Sequence, residues 1–158
     1  MANEVANAGA AFKNGHLLFS ESGGGRIIVP NNVYHLRRRC TIAEINAGVT
    51  LLAALVGFKY RLVDAAAVAV GGNVGGTTGV DITATLSSPR KLVAFKTAGL
   101  TQSTMLRAGT ATNGVLLADG ASFTANDANT AVTVIKDGND LTTATHVDIL
   151  LSYCIDEG

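Results

Sequence analysis

Hydrophobic and polar residues alternate along much of this chain, and a period of two residues is typical of β-strands with one buried face. The clearest alternation covers residues 146–153, where one face carries four hydrophobic side chains: Val147, Ile149, Leu151 and Tyr153. Other segments rich in β-branched and aromatic residues end at glycine, asparagine, aspartate or proline, which favour turns. They predict strands at residues 27–29, 33–40, 60–70, 80–86, 91–96 and 131–136, whereas residues 100–108 are ambiguous.

One short helical segment is predicted directly after the strand at 33–40. Thr41 and Glu44 have the spacing of a capping box, in which the threonine hydroxyl accepts from a backbone amide and the glutamate reaches back. Gly48 is placed to end the turn, because glycine tolerates a positive φ at a helix C-terminus. The β-branched residues Val49 and Thr50 disfavour a longer helix, so we expect a single turn followed by irregular chain.

Together these elements predict an all-β fold, a single antiparallel β-sandwich that is jelly-roll-like and has one short helical turn. The predicted sandwich domain covers residues 27–158. Residues 1–26 contain few large hydrophobic side chains and are interrupted by consecutive glycines at positions 23–25. We predict that they form an extended N-terminal arm, which either settles on a neighbouring molecule or frays into solvent.

The composition excludes several classes of protein. The 158 residues are 47% hydrophobic and 15% charged, a balance too apolar for an intrinsically disordered chain. Twelve basic and twelve acidic residues give a formal net charge of zero, so no electrostatic excess favours nucleic acid or an anionic membrane. No apolar run approaches the ~20 residues that span a bilayer, so no membrane segment is predicted.

The expected state of the two cysteines follows from the expected compartment. The first residues lack the basic and leucine-rich regions of a signal peptide, so we expect folding in a reducing cytoplasm. Cys40 and Cys154 are therefore predicted to be buried free thiols. A disulfide between them is the alternative, because both lie in strand-like segments that could pair.

Candidate catalytic and metal-binding residues do not converge in this sequence. The three histidines are scattered, and His35 and Cys40 fall on opposite faces of one predicted strand. Residues 21–24 resemble the acid-serine-glycine-glycine element of chymotrypsin-like proteases, but one small sandwich cannot supply the two barrels of that fold. The glycines at 71–79 lack the spacing and the following helix of a phosphate-binding loop. We therefore expect no enzymatic activity, no metal, no cofactor and no small-molecule substrate.

The concentrated charge in this chain is the run Arg37, Arg38 and Arg39. Strand geometry places Arg37 and Arg39 on one face and Arg38 on the other. Unpaired arginines are not buried, so these side chains are expected to be exposed or paired with carboxylates. Three interpretations stay open: a solvated edge strand whose charge prevents aggregation, bidentate contacts with acidic groups of a protein partner, and, least favoured, nucleic-acid binding.

Short segments spread over most of the chain carry a family resemblance. One series contains TIAEINAG at residues 41–48 and continues through residues 51–52 and 59–72. A second series contains ADGASF at 118–123, VIKDG at 134–138 and VDILLSY at 147–153. Together they resemble small structural proteins of tailed bacteriophages, namely capsid decoration (cement) proteins and related head or tail fibre components. The resemblance implies a β-sandwich that forms trimers and clamps neighbouring major capsid proteins.

The function implied by this resemblance is that of a virion structural protein, made in the cytoplasm of a bacterial host. It would bind the outer surface of the phage capsid as a homotrimer and cement the shell of major capsid protein, without nucleic acid or membrane. The candidate capsid contacts lie in the arm and in the arginine strand: Phe12, Leu17, Phe19, Arg37, Arg38 and Arg39. The alternative is a head or tail fibre or spike component that binds host-surface glycans. It is less favoured, because three tyrosines, five phenylalanines and no tryptophan offer few stacking platforms.

Overall fold

Eleven β-strands and one α-helix form the part of the chain that the computed structural model describes. That part comprises residues 10–13, 16–19, 32–76, 79–84, 90–107, 115–117 and 126–157. In chain order the elements are β1 (Ala10–Lys13), β2 (His16–Phe19), β3 (Tyr34–Thr41), α1 (Ile42–Ala47), β4 (Val49–Leu52), β5 (Phe58–Val70), β6 (Gly79–Ala84), β7 (Arg90–Lys96), β8 (Leu106–Arg107), β9 (Val115–Leu117), β10 (Val132–Asp137) and β11 (His146–Glu157). A single 3-10 turn, Thr97–Gly99, follows β7.

Nine of these strands are arranged in two antiparallel sheets. One sheet has the strand order β3-β11-β5-β8, and the other has the order β4-β10-β6-β7-β9. Apart from the three-residue β9, the strands form nested pairs: β3 with β11, β4 with β10, β5 with β8, and β6 with β7. This nesting is the topology of a jelly roll. The predicted antiparallel sandwich with one short helix is therefore confirmed.

The hydrophobic core lies between the two sheets. On β11 the alternating residues Val147, Ile149, Leu151 and Tyr153 are at most 3% exposed, which confirms the predicted inward face. The opposing sheet contributes buried side chains of similar size: Val80, Ile82, Phe95, Val132 and Val134. Two facing sheets lie about 10 Å apart, a gap that side chains of this length fill from both sides.

Three tyrosines form an aromatic cluster in this core. The ring of Tyr153 stacks on Tyr34 with centroids 5.7 Å apart and meets Tyr60 edge-on at 5.6 Å. Both are ordinary distances for aromatic pairs. The rings therefore pack against one another, at the end of the sheet where β3 and β5 begin.

The predicted helical turn is confirmed, together with its capping box. Thr41 Oγ1 accepts a hydrogen bond from the Glu44 backbone amide at 3.2 Å, and Glu44 Oε2 accepts from the Thr41 amide at 2.7 Å. The hydrogen bond from the Thr41 backbone holds the pKa of Glu44 below its ordinary value. Gly48 ends α1 with a φ of 82°, the positive value that a glycine adopts without strain.

Residues 49–52, predicted as irregular chain, form strand β4, so that prediction was wrong. Val49 pairs with Val134 and Leu52 with Val132, and the side chains of Leu51 and Leu52 are buried. β-branched residues suit a strand, but a strand also needs a neighbour. That neighbour, β10, lies far along the chain, so the local pattern did not reveal the pairing.

Cys40 and Cys154 are both buried and free, as predicted. Cys40 lies opposite Val147 on β11, and Cys154 is seven residues further along the same strand. Seven residues of a strand span roughly 23 Å, whereas a disulfide needs Cα atoms within about 7 Å. The two thiols therefore cannot pair, and burial raises the pKa of the Cys40 thiol.

Within the predicted arm the structure describes β1 and β2, which pair as an antiparallel hairpin with Phe12 opposite Leu17. The remaining residues of 1–26 lie outside the described part, as do the predicted strand at 27–29 and residues 85–86. No helix in the described ranges is long and apolar enough to cross a membrane.

Candidate functional site

The outer surface of sheet β3-β11-β5-β8 gathers most of the arginines predicted as contacts. Because Val147 and Ile149 face the core, the residue between them, Asp148, points outward. Pairing of β3 with β11 sets Arg39 opposite Asp148 and Arg37 opposite Leu150. The prediction that Arg37 and Arg39 share one face is confirmed. We call this surface, with its outward residues from β3, β11, β5 and β8, the arginine face.

Asp148 is the centre of this surface. Arg39 donates to both of its carboxylate oxygens, from Nε to Oδ1 at 2.7 Å and from Nη2 to Oδ2 at 3.0 Å. Arg37 donates from Nη2 to Oδ2 at 2.9 Å. The hydrogen bonds from Arg39, supported by the one from Arg37, hold the pKa of Asp148 well below the ordinary carboxyl value, although burial acts in the opposite direction.

The partners in this cluster differ sharply in exposure. Only 4% of the Asp148 side chain is exposed, but 70% of the Arg37 side chain and 55% of the Arg39 side chain are. The buried carboxylate therefore fixes two guanidinium groups whose remaining surface faces solvent. A guanidinium has five N–H donors, so each arginine can bind Asp148 and a second acceptor together.

Two further arginines on this surface repeat the arrangement. Arg107 on β8 binds Asp64 at 2.5 Å, and Arg61 on β5 binds Asp156 at 2.7 Å. In both pairs the arginine exposes more than half of its side chain, and the aspartate exposes 35% or less. Sequence analysis missed these pairs. Arg61 is at an outward position of a predicted strand, but nothing in the local pattern gives its register against β11.

A small apolar floor separates Arg37 from Arg107. Leu150 on β11 lies beside Ala66 on β5, with Arg37 on the far side of Leu150 and Arg107 on the far side of Ala66. The four residues thus form one row across four strands. Three inter-strand spacings separate its ends, which amounts to roughly 14 Å. Val68 adjoins the floor two residues along β5 from Ala66, opposite Asp148.

Arg38 lies on the other side of the strand, as predicted, and contacts this protein's own backbone. It donates to the carbonyl oxygen of Thr50 on β4 and lies 4.0 Å from the carboxylate of Glu44. Since β3 and β4 belong to different sheets, Arg38 joins the two sheets at their edges. Of the three adjacent arginines, two belong to the arginine face and one joins the sheets.

The arm residues predicted as contacts lie in the β1–β2 hairpin. Phe12 pairs with Leu17, and Phe19 pairs with Ala10. The positions of their side chains lie outside the described part of the structure. Their assignment as contacts remains a prediction.

One polar pair on the arginine face has the composition of a catalytic dyad. His35 Nδ1 and Ser152 Oγ are 2.9 Å apart on neighbouring strands, a contact that sequence reasoning missed. A serine nucleophile needs an imidazole that a third group orients. Asp64 on β5 pairs with Ser152 and therefore lies on the other side of the serine from His35. Its carboxylate binds Arg107 and does not orient the imidazole. The arrangement is therefore a cross-strand hydrogen bond and lacks the order of a triad.

Metal ligands do not cluster in the described ranges, where no group of three or more His, Cys, Asp or Glu side chains could hold an ion. Comparison of the chain with protein-family models, with curated proteins and with solved structures gives no match. The arginine face is consequently interpreted from its own geometry.

Proposed function

We propose that this protein is a structural component of a phage virion, a cement protein that binds the outside of the capsid. In this proposal it acts as a homotrimer and stabilises the shell of major capsid protein through the arginine face. Jelly rolls are frequent among viral structural proteins, so the fold is compatible with this role. The observation that carries the proposal is the cluster of Arg37, Arg39 and Asp148.

The cluster has the properties of a protein-binding surface. Arginine is enriched in protein interfaces because its planar guanidinium binds carboxylates through two parallel hydrogen bonds. Ordering a long side chain on binding normally costs about 1 kcal/mol. Asp148 already holds Arg37 and Arg39 in place, so that cost is largely met when the protein folds. Such a surface favours association without requiring a deep pocket.

A trimer would multiply modest contacts into firm attachment. Each protomer presents one arginine face, so three faces could engage neighbouring capsid subunits at once. Once the first face is bound, the others bind at a high effective concentration. Bridging several subunits in this way would stiffen the shell against internal pressure.

The glycan-binding alternative gains no support from the described surface. Sugar binding commonly uses exposed aromatic rings, but the rings of Tyr34, Tyr60 and Tyr153 pack against one another. The outward positions of the arginine face carry charged, polar and aliphatic side chains, among them Arg37, Ser152 and Leu150.

The first test is the mass of the purified protein in solution, measured by light scattering after size exclusion. A trimer gives about 48 kDa, three times the 16.1 kDa of one chain. The second test is co-sedimentation with purified, undecorated capsid shells of the phage that encodes the chain. Wild-type protein should sediment with the shells, and a protein that stays in the supernatant would refute the capsid role.

A matched pair of charge reversals tests the surface itself. Arg37→Glu should abolish most of the co-sedimentation, because it places a carboxylate where an acidic partner group would bind. Lys96→Glu makes the same charge change on β7, in the opposite sheet, and should leave co-sedimentation intact. Equal loss in both variants would show that general charge, and not the arginine face, drives attachment.

A further inference from the structure

We propose that the arginine face binds an extended acidic segment of its partner, in which two carboxylates four residues apart flank an apolar residue. This inference deepens the proposed function by naming the chemistry that the capsid surface would present. It is carried by the row Arg37, Leu150, Ala66 and Arg107, which has an arginine at each end and an apolar floor between them. Arg37 binds Asp148 on one side of the row, and Arg107 binds Asp64 on the other.

The dimensions of the row select this pattern. The Cα atoms of Arg37 and Arg107 lie roughly 14 Å apart across the four strands, and an extended chain rises about 3.3 Å per residue. Residues i and i+4 of an extended segment are therefore about 13 Å apart and project from the same side. Acidic residues at these positions would reach Arg37 and Arg107, and residue i+2 would rest on Leu150 and Ala66.

The charge of the face favours an acidic occupant. Five basic residues project outward (Arg37, Arg39, Lys59, Arg61 and Arg107), against three acidic ones (Asp64, Asp148 and Asp156). All three acids already accept from arginines, so the exposed ends of the face are cationic. The whole chain has no net charge, and this excess of two is therefore local.

A second copy of the same face is a poor occupant. Stacking two arginine faces would bring exposed guanidinium groups against each other, while the aspartates beneath them are already paired. Like charges in contact disfavour association. A partner that supplies new carboxylates avoids this repulsion and uses the remaining donors of Arg37, which binds Asp148 through Nη2.

The test is an NMR titration of the full-length, ¹⁵N-labelled protein with synthetic heptapeptides. The probe has glutamate at its second and sixth positions and leucine at its fourth, with serine and threonine elsewhere. We expect saturable shifts of the amide signals of Leu150 and Ala66 and of the Nε–H signals of Arg37 and Arg107. One control peptide has lysine in place of glutamate, and another has the same composition with adjacent glutamates. Neither control should produce these shifts.

Variants locate the binding on the row. Arg37→Glu and Arg107→Glu should each lower the affinity for the probe peptide by about tenfold or more. Arg61→Glu is the matched control on the same face, because Arg61 pairs with Cys154, four positions along β11 from Leu150, and it should change the affinity little. If a reversal next to Asp148 or Asp64 prevents folding, Arg37→Gln and Arg107→Gln remove the charge without adding repulsion.

The outcomes separate this inference from the proposed function. Capsid co-sedimentation without peptide binding would overturn the acidic-segment inference and leave the capsid role standing. Peptide binding without co-sedimentation would support the recognition chemistry and refute the capsid partner. Equal binding of the adjacent-glutamate peptide would overturn the spacing. Equal shifts with a short single-stranded oligonucleotide would overturn the choice of a protein partner.

Discussion

Asp148 shows how one buried charge organises a surface. A carboxylate with 4% of its side chain exposed is costly unless it is paired and fully hydrogen-bonded. Three hydrogen bonds from two arginines meet that requirement. The same bonds hold Arg37 and Arg39 in defined positions, so a single residue of β11 determines the geometry of its neighbours on β3.

We expect Asp148→Asn to lower the free energy of unfolding at pH 7 by about 2 kcal/mol, because the amide loses charge-assisted hydrogen bonds. The native pKa of Asp148 is lowered, so this stabilisation is present above the unfolded pKa of about 3.9 and is lost as the pH falls toward the native pKa. Urea unfolding measures this: the difference in free energy of unfolding between Asp148→Asn and wild type should be smaller at pH 2 than at pH 7.

Asp140→Asn is the control for this pH effect. The Asp140 side chain is 71% exposed and pairs with Lys136 on the surface. Exposed pairs contribute little, so we expect a small change at both pH values. If Asp148→Asn has an equal cost at pH 7 and pH 2, the charge of Asp148 is not the source of its stabilisation.

At the scale of elements, the two connections that lead out of β5 and β10 are held together. Gly75 and Thr142 form an isolated antiparallel bridge with hydrogen bonds in both directions, at 3.0 and 2.9 Å. The neighbouring Gly76 has a φ of +103°, and a Cβ there would lie 2.2 Å from the carbonyl oxygen of Asp140. Glycine is required at this position by both the backbone conformation and the close approach.

Alanine substitutions at two glycines separate these causes. Gly57 has a φ of +81° and open space around its Cα, so Gly57→Ala should cost about 1 kcal/mol for the positive φ alone. Gly76→Ala adds a clash with backbone and should cost roughly 3 kcal/mol. Chemical denaturation of both variants measures the difference. Equal costs would indicate that the segments joined by the Gly75–Thr142 bridge move apart easily and relieve the clash at Gly76.

At the scale of the whole molecule, the sandwich is held by inward side chains from both sheets. Ile149 is fully buried on β11, which pairs with both β3 and β5. Ile135 on β10 is 37% exposed. Since the jelly roll pairs strands that are distant in the chain, the two sheets are expected to unfold as one cooperative unit.

Ile149→Ala should therefore lower the free energy of unfolding by about 3 kcal/mol, because a fully buried side chain leaves a cavity. The same substitution at Ile135 should cost less than about 1 kcal/mol. Denaturation followed by both fluorescence and circular dichroism checks the magnitude and the cooperativity. Two separate transitions would show that the sheets unfold independently.

Local patterns in the sequence determined much of this molecule. The alternation on β11 identified the buried face, and the spacing of Thr41 and Glu44 identified the helical turn. The parity of positions in β3 separated Arg38 from its two neighbours. These features depend on the backbone period and on contacts a few residues apart, so they can be derived from sequence alone.

Strand order and register were decided by the tertiary structure. Register on β11 gave Arg37 and Arg39 their common carboxylate and brought Arg61 and Arg107 onto the same face. The strand β4 formed because β10 supplied its neighbour. Each of these features joins residues far apart in the chain, and their pairing depends on which hydrophobic faces the two sheets bury against each other. The alternation thus determined which side chains point outward, and the fold determined which of them meet.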